Sequence, residues 1–135
     1  MTTSKFTRIV GALLLALSIG QAAFAKEAKR WVYLGQTTVN GQSDHDRIGI
    51  GRNEGRFNSI QLRVTGAPVE FQRVVVHYTN GTSEAVELRN LIPVGGQTRA
   101  IDLRGNERAI SNVEFHFSKA NWRTRSQPRV SLYAR

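Results

Sequence analysis

The sequence predicts an all-β domain, an antiparallel β-sandwich, and three observations lead there. Beyond the first 25 residues, no stretch sustains a 3.6-residue apolar period. Short runs rich in Val, Ile, Phe and Tyr recur instead, separated by Gly, Asn and Pro, a pattern of sandwiches and barrels. Within several runs apolar and polar residues alternate, giving a strand one dry and one wet face as antiparallel sheets require.

The expected strands run Trp31–Val39, Arg56–Val64, Val69–Tyr78, Ser83–Leu88, Thr98–Arg104, Ile110–Phe117 and Arg129–Ala134, with a shorter one at Arg47–Ile50. Ile60, Leu62 and Val64 alternate with Gln61 and Arg63; Ile101 and Leu103 alternate with Asp102 and Arg104; Val113, Phe115 and Phe117 alternate with Glu114 and His116. The apolar set of each strand belongs to the core and the other set to a solvated face. Asn80-Gly81 marks a hairpin whose loop length follows from parity. A two-residue loop pairs Val75 with Val86 and turns Arg73 and His77 toward the face carrying Val86 and Leu88. A three-residue loop, Thr79-Asn80-Gly81, puts Val74, Val76 and Tyr78 on that face instead. A one-residue slip exchanges the faces, so the odd loop with Gly81 left-handed is expected, with His77 pointing away from the core.

The first 25 residues read as a secretory signal peptide. Lys5 and Arg8 form a basic head, Ile9–Ile19 an apolar run, and Ala23-Phe24-Ala25 a small-residue cleavage site, with cleavage expected after Ala25. The apolar run is 11 residues long, short of the roughly 20 a spanning helix needs. The expected organisation is a signal peptide over 1–25, helical in its apolar run, and one domain over 26–135, in the periplasm or secreted. A domain of that size buries roughly 65% of the surface its unfolded chain exposes. The chain has no cysteine, so disulfides, thiol catalysis and lipid attachment at the cleavage site are excluded.

The net charge of the whole chain is +9, and 15 of its 19 basic residues are arginine. Arginine suits planar, bidentate contacts with carboxylates and phosphates, and a positive domain attracts polyanions. In an exported protein these are envelope glycans, lipid headgroups and other proteins, and no nucleic acid is expected as a partner.

Two chemistries suggest themselves in "NGQSDHDRIGIGRNEGRF", from Asn40 to Phe57. Gly49, Gly51 and Gly55 have the spacing G-x-G-x-x-x-G and lead into a strand, whereas a dinucleotide loop needs G-x-G-x-x-G and a following helix. Asp44, His45 and Asp46 could form a weak calcium site through Asp44 and Asp46, or the centre of a metal-dependent hydrolase. In an extended chain, however, His45 points opposite to both aspartates, and a tight site needs ligands from elsewhere. The structural alternative is that the aspartates and Ser43 cap a turn, or that Asp46 pairs with an arginine. No G-x-S-x-G elbow is present, so a non-catalytic protein without a cofactor is expected. "SKANWRTRSQPR" offers the better binding candidates, with Lys119, Arg123, Arg125 and Arg129 around Trp122; arginines beside a ring suit phosphates or a carboxylated glycan.

Leu34-Gly35, Asp46-Arg47-Ile48, Phe57, "VVVHYTNG" (74–81), "GGQTRAIDLRGNERAISNVEFHF" (95–117) and "VSLYAR" (130–135) follow in order along the chain. In these the sequence resembles the DUF2541-like family of small exported bacterial proteins of unknown function. The resemblance implies an exported β-sandwich and supplies no catalytic residues. The strand order is also similar to galactose-binding-like jelly rolls. The function expected is that of an exported binding or accessory module of the envelope, recognising an anionic glycan, a lipid headgroup or a protein. The alternatives are the metal-dependent hydrolase at Asp44-His45-Asp46 and an inhibitor of a secreted hydrolase.

Overall fold

The computed structural model describes residues 30–41, 43–51, 54–118 and 127–135. The expected signal peptide over 1–25 and its expected cleavage site after Ala25, together with Lys119, Trp122, Arg123 and Arg125, lie outside the described residues. Among the described residues eight strands follow one another: β1 (Val32–Thr38), β2 (His45–Gly49), β3 (Ser59–Thr65), β4 (Val69–Tyr78), β5 (Ser83–Ile92), β6 (Ile101–Asp102), β7 (Ile110–Ser118) and β8 (Arg129–Ala134). They form two four-stranded sheets, in the orders β1-β8-β3-β6 and β2-β7-β4-β5, and every pairing is antiparallel. β1 thus lies by β8, β2 by β7, β3 by β6 and β4 by β5, as if one long hairpin had been rolled up. That is the order of an eight-stranded jelly roll.

Alternation fills the space between the sheets. Ile60, Leu62 and Val64 from β3, and Val130, Leu132 and Ala134 from β8, are fully buried from one side. Val74 and Val76 from β4, with Val113, Phe115 and Phe117 from β7, meet them from the other. Phe71 packs edge-on against Phe115, with ring centroids 5.7 Å apart. Truncating an aromatic in such a layer costs about 3–5 kcal/mol.

The hairpin has the odd loop that parity requires. Val74 faces Val86, Val76 faces Glu84 and His77 faces Ser83, while the Tyr78 amide donates to the Thr82 carbonyl at 2.8 Å. Gly81 is left-handed at φ +88°, and the Asn80 side chain accepts from the Thr82 amide at 3.0 Å. His77 consequently lies on the outer face of its sheet.

β2 starts at His45 instead of Arg47 and β3 at Ser59 instead of Arg56, and two further elements differ more. β5 continues past Leu88 to Ile92 because a bulge, with Arg89 at φ +45°, absorbs the break in alternation. The strand expected over Thr98–Arg104 shrinks to Ile101–Asp102. There the Leu62 amide donates to the Thr98 hydroxyl at 3.1 Å, so a side chain replaces a main-chain acceptor and interrupts the ladder.

Gly66, after β3, has φ +84°, and a methyl group there would collide with the Gln127 carbonyl oxygen. Gly81 has a similar φ but open space around it. Gly81→Ala is therefore expected to cost about 1–2 kcal/mol from backbone strain, and Gly66→Ala roughly 2–4 because the collision adds to it. Urea unfolding of both variants measures the difference, which should disappear if the β3–β4 turn does not pack on Gln127.

Candidate functional site

The outer face of the β2-β7-β4-β5 sheet gathers all three histidines of the chain. Register sets them there: His45 faces His116, Arg47 faces Glu114 and Gly49 faces Asn112. β4 then adds Arg73 beside His116, Val75 beside Glu114 and His77 beside Asn112. The His45 and His116 rings lie 5.3 Å apart, inclined by 25°. Each has one nitrogen against a carboxylate: His45 Nδ1 is 2.9 Å from Asp44 Oδ1, and His116 Nε2 is 3.1 Å from Glu114 Oε2. Arg47 Nη2 donates to the other Glu114 oxygen at 3.2 Å. Burial pushes the Glu114 carboxyl up, but the hydrogen bonds from His116 and Arg47 outweigh it and hold the group below its ordinary value. The hydrogen bond from His45 likewise lowers Asp44.

The two aspartates read together in the sequence have different partners. Asp46 accepts from the Thr37 hydroxyl at 3.2 Å and from the Arg47 amide at 2.7 Å, which ties β2 to β1 of the other sheet. Asp46 lies within β2 and caps no turn, whereas the Ser43 hydroxyl accepts from the His45 amide at 3.4 Å; the Arg47 guanidinium goes to Glu114 and not to Asp46. Among the described residues, no group of three or more His, Asp or Glu side chains is placed to hold a metal ion. The His45–His116 pair was hidden from sequence reasoning because its members are distant in the chain. Only when the Arg47–Ile50 run is carried back to His45 and paired with Ile110–Phe117 in this register does His45 come opposite His116.

Gly51 and Gly55 border an open cleft of about 700 Å³ at one end of the sandwich, with Glu54, Arg56, Thr79 and Ser111. Its floor adjoins a tight polar cluster. Tyr78 donates to Glu84, which also accepts from the Arg104 amide at 2.9 Å. The Arg108 guanidinium lies 3.7 Å from the centre of the Tyr78 ring and donates to the Arg104 carbonyl at 2.8 Å. Burial, then the hydrogen bond to Glu84, pushes the Tyr78 hydroxyl upward and keeps it protonated. The glycines lead into β3, with no helix to present amides to a phosphate.

The outer face of the β1-β8-β3-β6 sheet has a different chemistry. β8 alternates buried Val130, Leu132 and Ala134 with outward Arg129, Ser131, Tyr133 and Arg135. Arg63 from β3 lays its guanidinium over Tyr133, 3.7 Å from the ring centre, and Tyr33 from β1 meets the same ring edge-on at 5.6 Å. Arg135 lies 4.4 Å from the Trp31 ring centre. Tyr33 is 51% exposed. No carboxylate of the described residues pairs with Arg63, Arg129 or Arg135; Asp102, on the same sheet, accepts from Ser59 at 2.9 Å. Arg129 is the one member of the C-terminal binding candidates within the described residues, and it falls on this face. Trp31, Tyr33, Arg63, Tyr133 and Arg135 were not singled out from the sequence. The alternation within "VSLYAR" pointed to two of them, but the ring contacts need β1 and β3 brought to either side of β8.

An eight-stranded antiparallel sandwich, with one arginine-and-ring face and one charge-paired face, is the class of molecule these observations define. The chain belongs to the DUF2541 family, whose model, described as a domain of unknown function, matches residues 12–134. A search of curated proteins gives no match. Among solved structures, one from a structural and functional characterization of Pseudomonas aeruginosa AlgX is similar, at 12% identity and a TM-score of 0.47. The similarity covers 81% of this chain and 27% of that one, so this chain spans about a quarter of that structure's length.

Glu114 carries a sign that can be tested. Its folded value lies below the ordinary 4.5, so its contribution is present above that pH and is lost as pH falls through the folded value. Unfolding midpoints of Glu114→Gln should therefore fall less steeply between about pH 5 and pH 3 than those of the unaltered protein. Parallel curves would show that His116 and Arg47 do not stabilise the carboxylate.

Proposed function

We propose that this protein is an exported, non-catalytic binding module of the cell envelope, and that it holds an anionic glycan on the outer face of the β1-β8-β3-β6 sheet. The observation that carries this reading is that Arg63 and Arg135 lie over aromatic rings and, like Arg129 on the same face, have no carboxylate partner among the described residues. A guanidinium lying over an aromatic ring is fixed in place by cation–π attraction. Arg63 gives its Nε–H to the Gln61 side chain at 3.1 Å, which leaves its two terminal Nη groups for a planar contact with a carboxylate. Fixing the side chain beforehand reduces the ordering that binding must otherwise impose.

The ring content favours a glycan over a bare anion. Tyr33 and Trp31 offer apolar faces beside the arginines, and sugar rings have an apolar face of their own. Lys119, Trp122, Arg123 and Arg125, the other binding candidates of the sequence, precede Arg129 in the chain. Export agrees with the basic head, apolar run and Ala23-Phe24-Ala25 of the first 25 residues.

Retention of the processed protein on an immobilised uronic-acid polysaccharide tests the reading. Retention should weaken with added salt, and the Arg63→Ala/Arg135→Ala double variant should elute at clearly lower salt, whereas Arg47→Ala, on the opposite sheet, should elute unchanged. Retention that ignores salt, or equal elution of all three proteins, would refute it.

A further inference from the structure

We propose that Gln61 is a specificity-determining residue of the arginine-and-ring face: it holds Arg63 in place without cancelling its charge, so that the face selects a carboxylated chain over a neutral one. The inference rests on the glycan reading of that face. Gln61 is 5% exposed, although it belongs to the outer set of β3 with Arg63 and Thr65. Both ends of its amide are used. Nε2 donates to the Thr98 carbonyl at 3.2 Å, and Oε1 accepts from Arg63 Nε at 3.1 Å. A carbonyl only accepts and a guanidinium only donates, so these two neighbours fix which way the amide points. Thr98 is itself buried and takes the Leu62 amide on its hydroxyl, so Gln61 is braced against the segment that flanks β3.

Register shows what the bond does. Arg63 stands across from Ser131 and Gln61 across from Tyr133, one step of alternation apart, about 7 Å. Yet the Arg63 guanidinium lies 3.7 Å from the centre of the Tyr133 ring, so the side chain folds back along β3 by that step. The ring attracts the cation, and the Gln61 oxygen, by taking Nε–H, fixes how the guanidinium is turned. An arginine that grips a ligand otherwise loses rotamer freedom on binding; here that ordering is already in place. The identity of residue 61 matters for the same reason. A glutamate has nearly the same shape and would accept from Arg63 more strongly. It would also give the guanidinium a carboxylate of the protein's own, with which a ligand carboxylate must then compete. Asp102, across from Ser59 on this sheet, accepts from the Ser59 hydroxyl, and no carboxylate of the described residues pairs with Arg63. The amide positions the cation and leaves its charge to the ligand.

The test compares the processed protein with its Gln61→Glu and Gln61→Leu variants. Each is titrated in calorimetry, at several salt concentrations, with a short uronic-acid oligomer and with a neutral oligomer of the same length. Gln61→Glu should weaken uronate binding tenfold or more, shrink the preference over the neutral oligomer and flatten the salt dependence, because one cation is withdrawn. Gln61→Leu keeps the charge but frees the side chain, so binding should weaken only severalfold with its salt dependence unchanged. A merely structural role would give both variants the same loss and the same salt dependence. Uronate binding by Gln61→Glu equal to that of the unaltered protein, or matching losses in the two variants, overturns the inference and leaves the glycan reading standing. An unaltered protein that does not bind the uronate refutes both. Should a variant fail to fold, the unaltered protein still decides: its Arg63 Nε proton should exchange with solvent more slowly than that of Arg129, and equal rates overturn the inference.

Discussion

With no cysteine to staple it, this sandwich is held by the apolar layer between its sheets, and the parity of strand register decides which side chains reach that layer. A strand that slipped by one residue would exchange its whole dry set for its wet one. In β4 the slip would take Val74 and Val76 out of the core and bury Arg73 and His77, with unpaired polar groups in place of methyl contacts. Burying one such group without partners costs about 1–3 kcal/mol. Across several strands the penalty excludes the alternative register altogether. The three-residue loop closed by Gly81 is the local device that matches this demand, since it pairs Val74 with Val86.

Parity also distributes the chemistry. Once the even-numbered residues of β4 and the odd-numbered ones of β7 turn inward, His77, His116 and Glu114 must turn out. β2 adds His45 and Arg47 in register, so this face balances its charges internally. On the other sheet the outward residues include Arg129, Ser131 and Tyr133 from β8 and Gln61 and Arg63 from β3, with Asp102 bonded to Ser59. Here the cations rest on rings instead of carboxylates. The sandwich thus separates an arginine-and-ring surface from a charge-paired one, although residues of both kinds are mixed along the chain.

Much of this architecture could be read from the sequence because it depends on local alternation. The bounds of β4 and β8 match the expected strands, and the inward sets of β3 and β7 are those that alternation gives. The bulge at Arg89 and the Thr98 hydroxyl that replaces a ladder acceptor were not legible, because each is a compensation for a partner strand. The same reason explains the site. Asp44-His45-Asp46 drew attention as neighbours, yet Asp46 turns to Thr37 and the true companion of His45 is His116. Arg129 was legible as a binding candidate, whereas Arg63, Trp31 and Tyr33 join its face only through pairing on either side of β8.

The central claim is that the two faces differ in what they hold, and that an acidic glycan goes to the rings and arginines. Mapping amide and side-chain resonance changes during titration with a short uronic-acid oligomer tests this most directly. The changes should concentrate on Trp31, Tyr33, Arg63, Arg129, Tyr133 and Arg135. Changes centred instead on His45, Arg47 and Arg73, or around Arg56 in the end cleft, would contradict it.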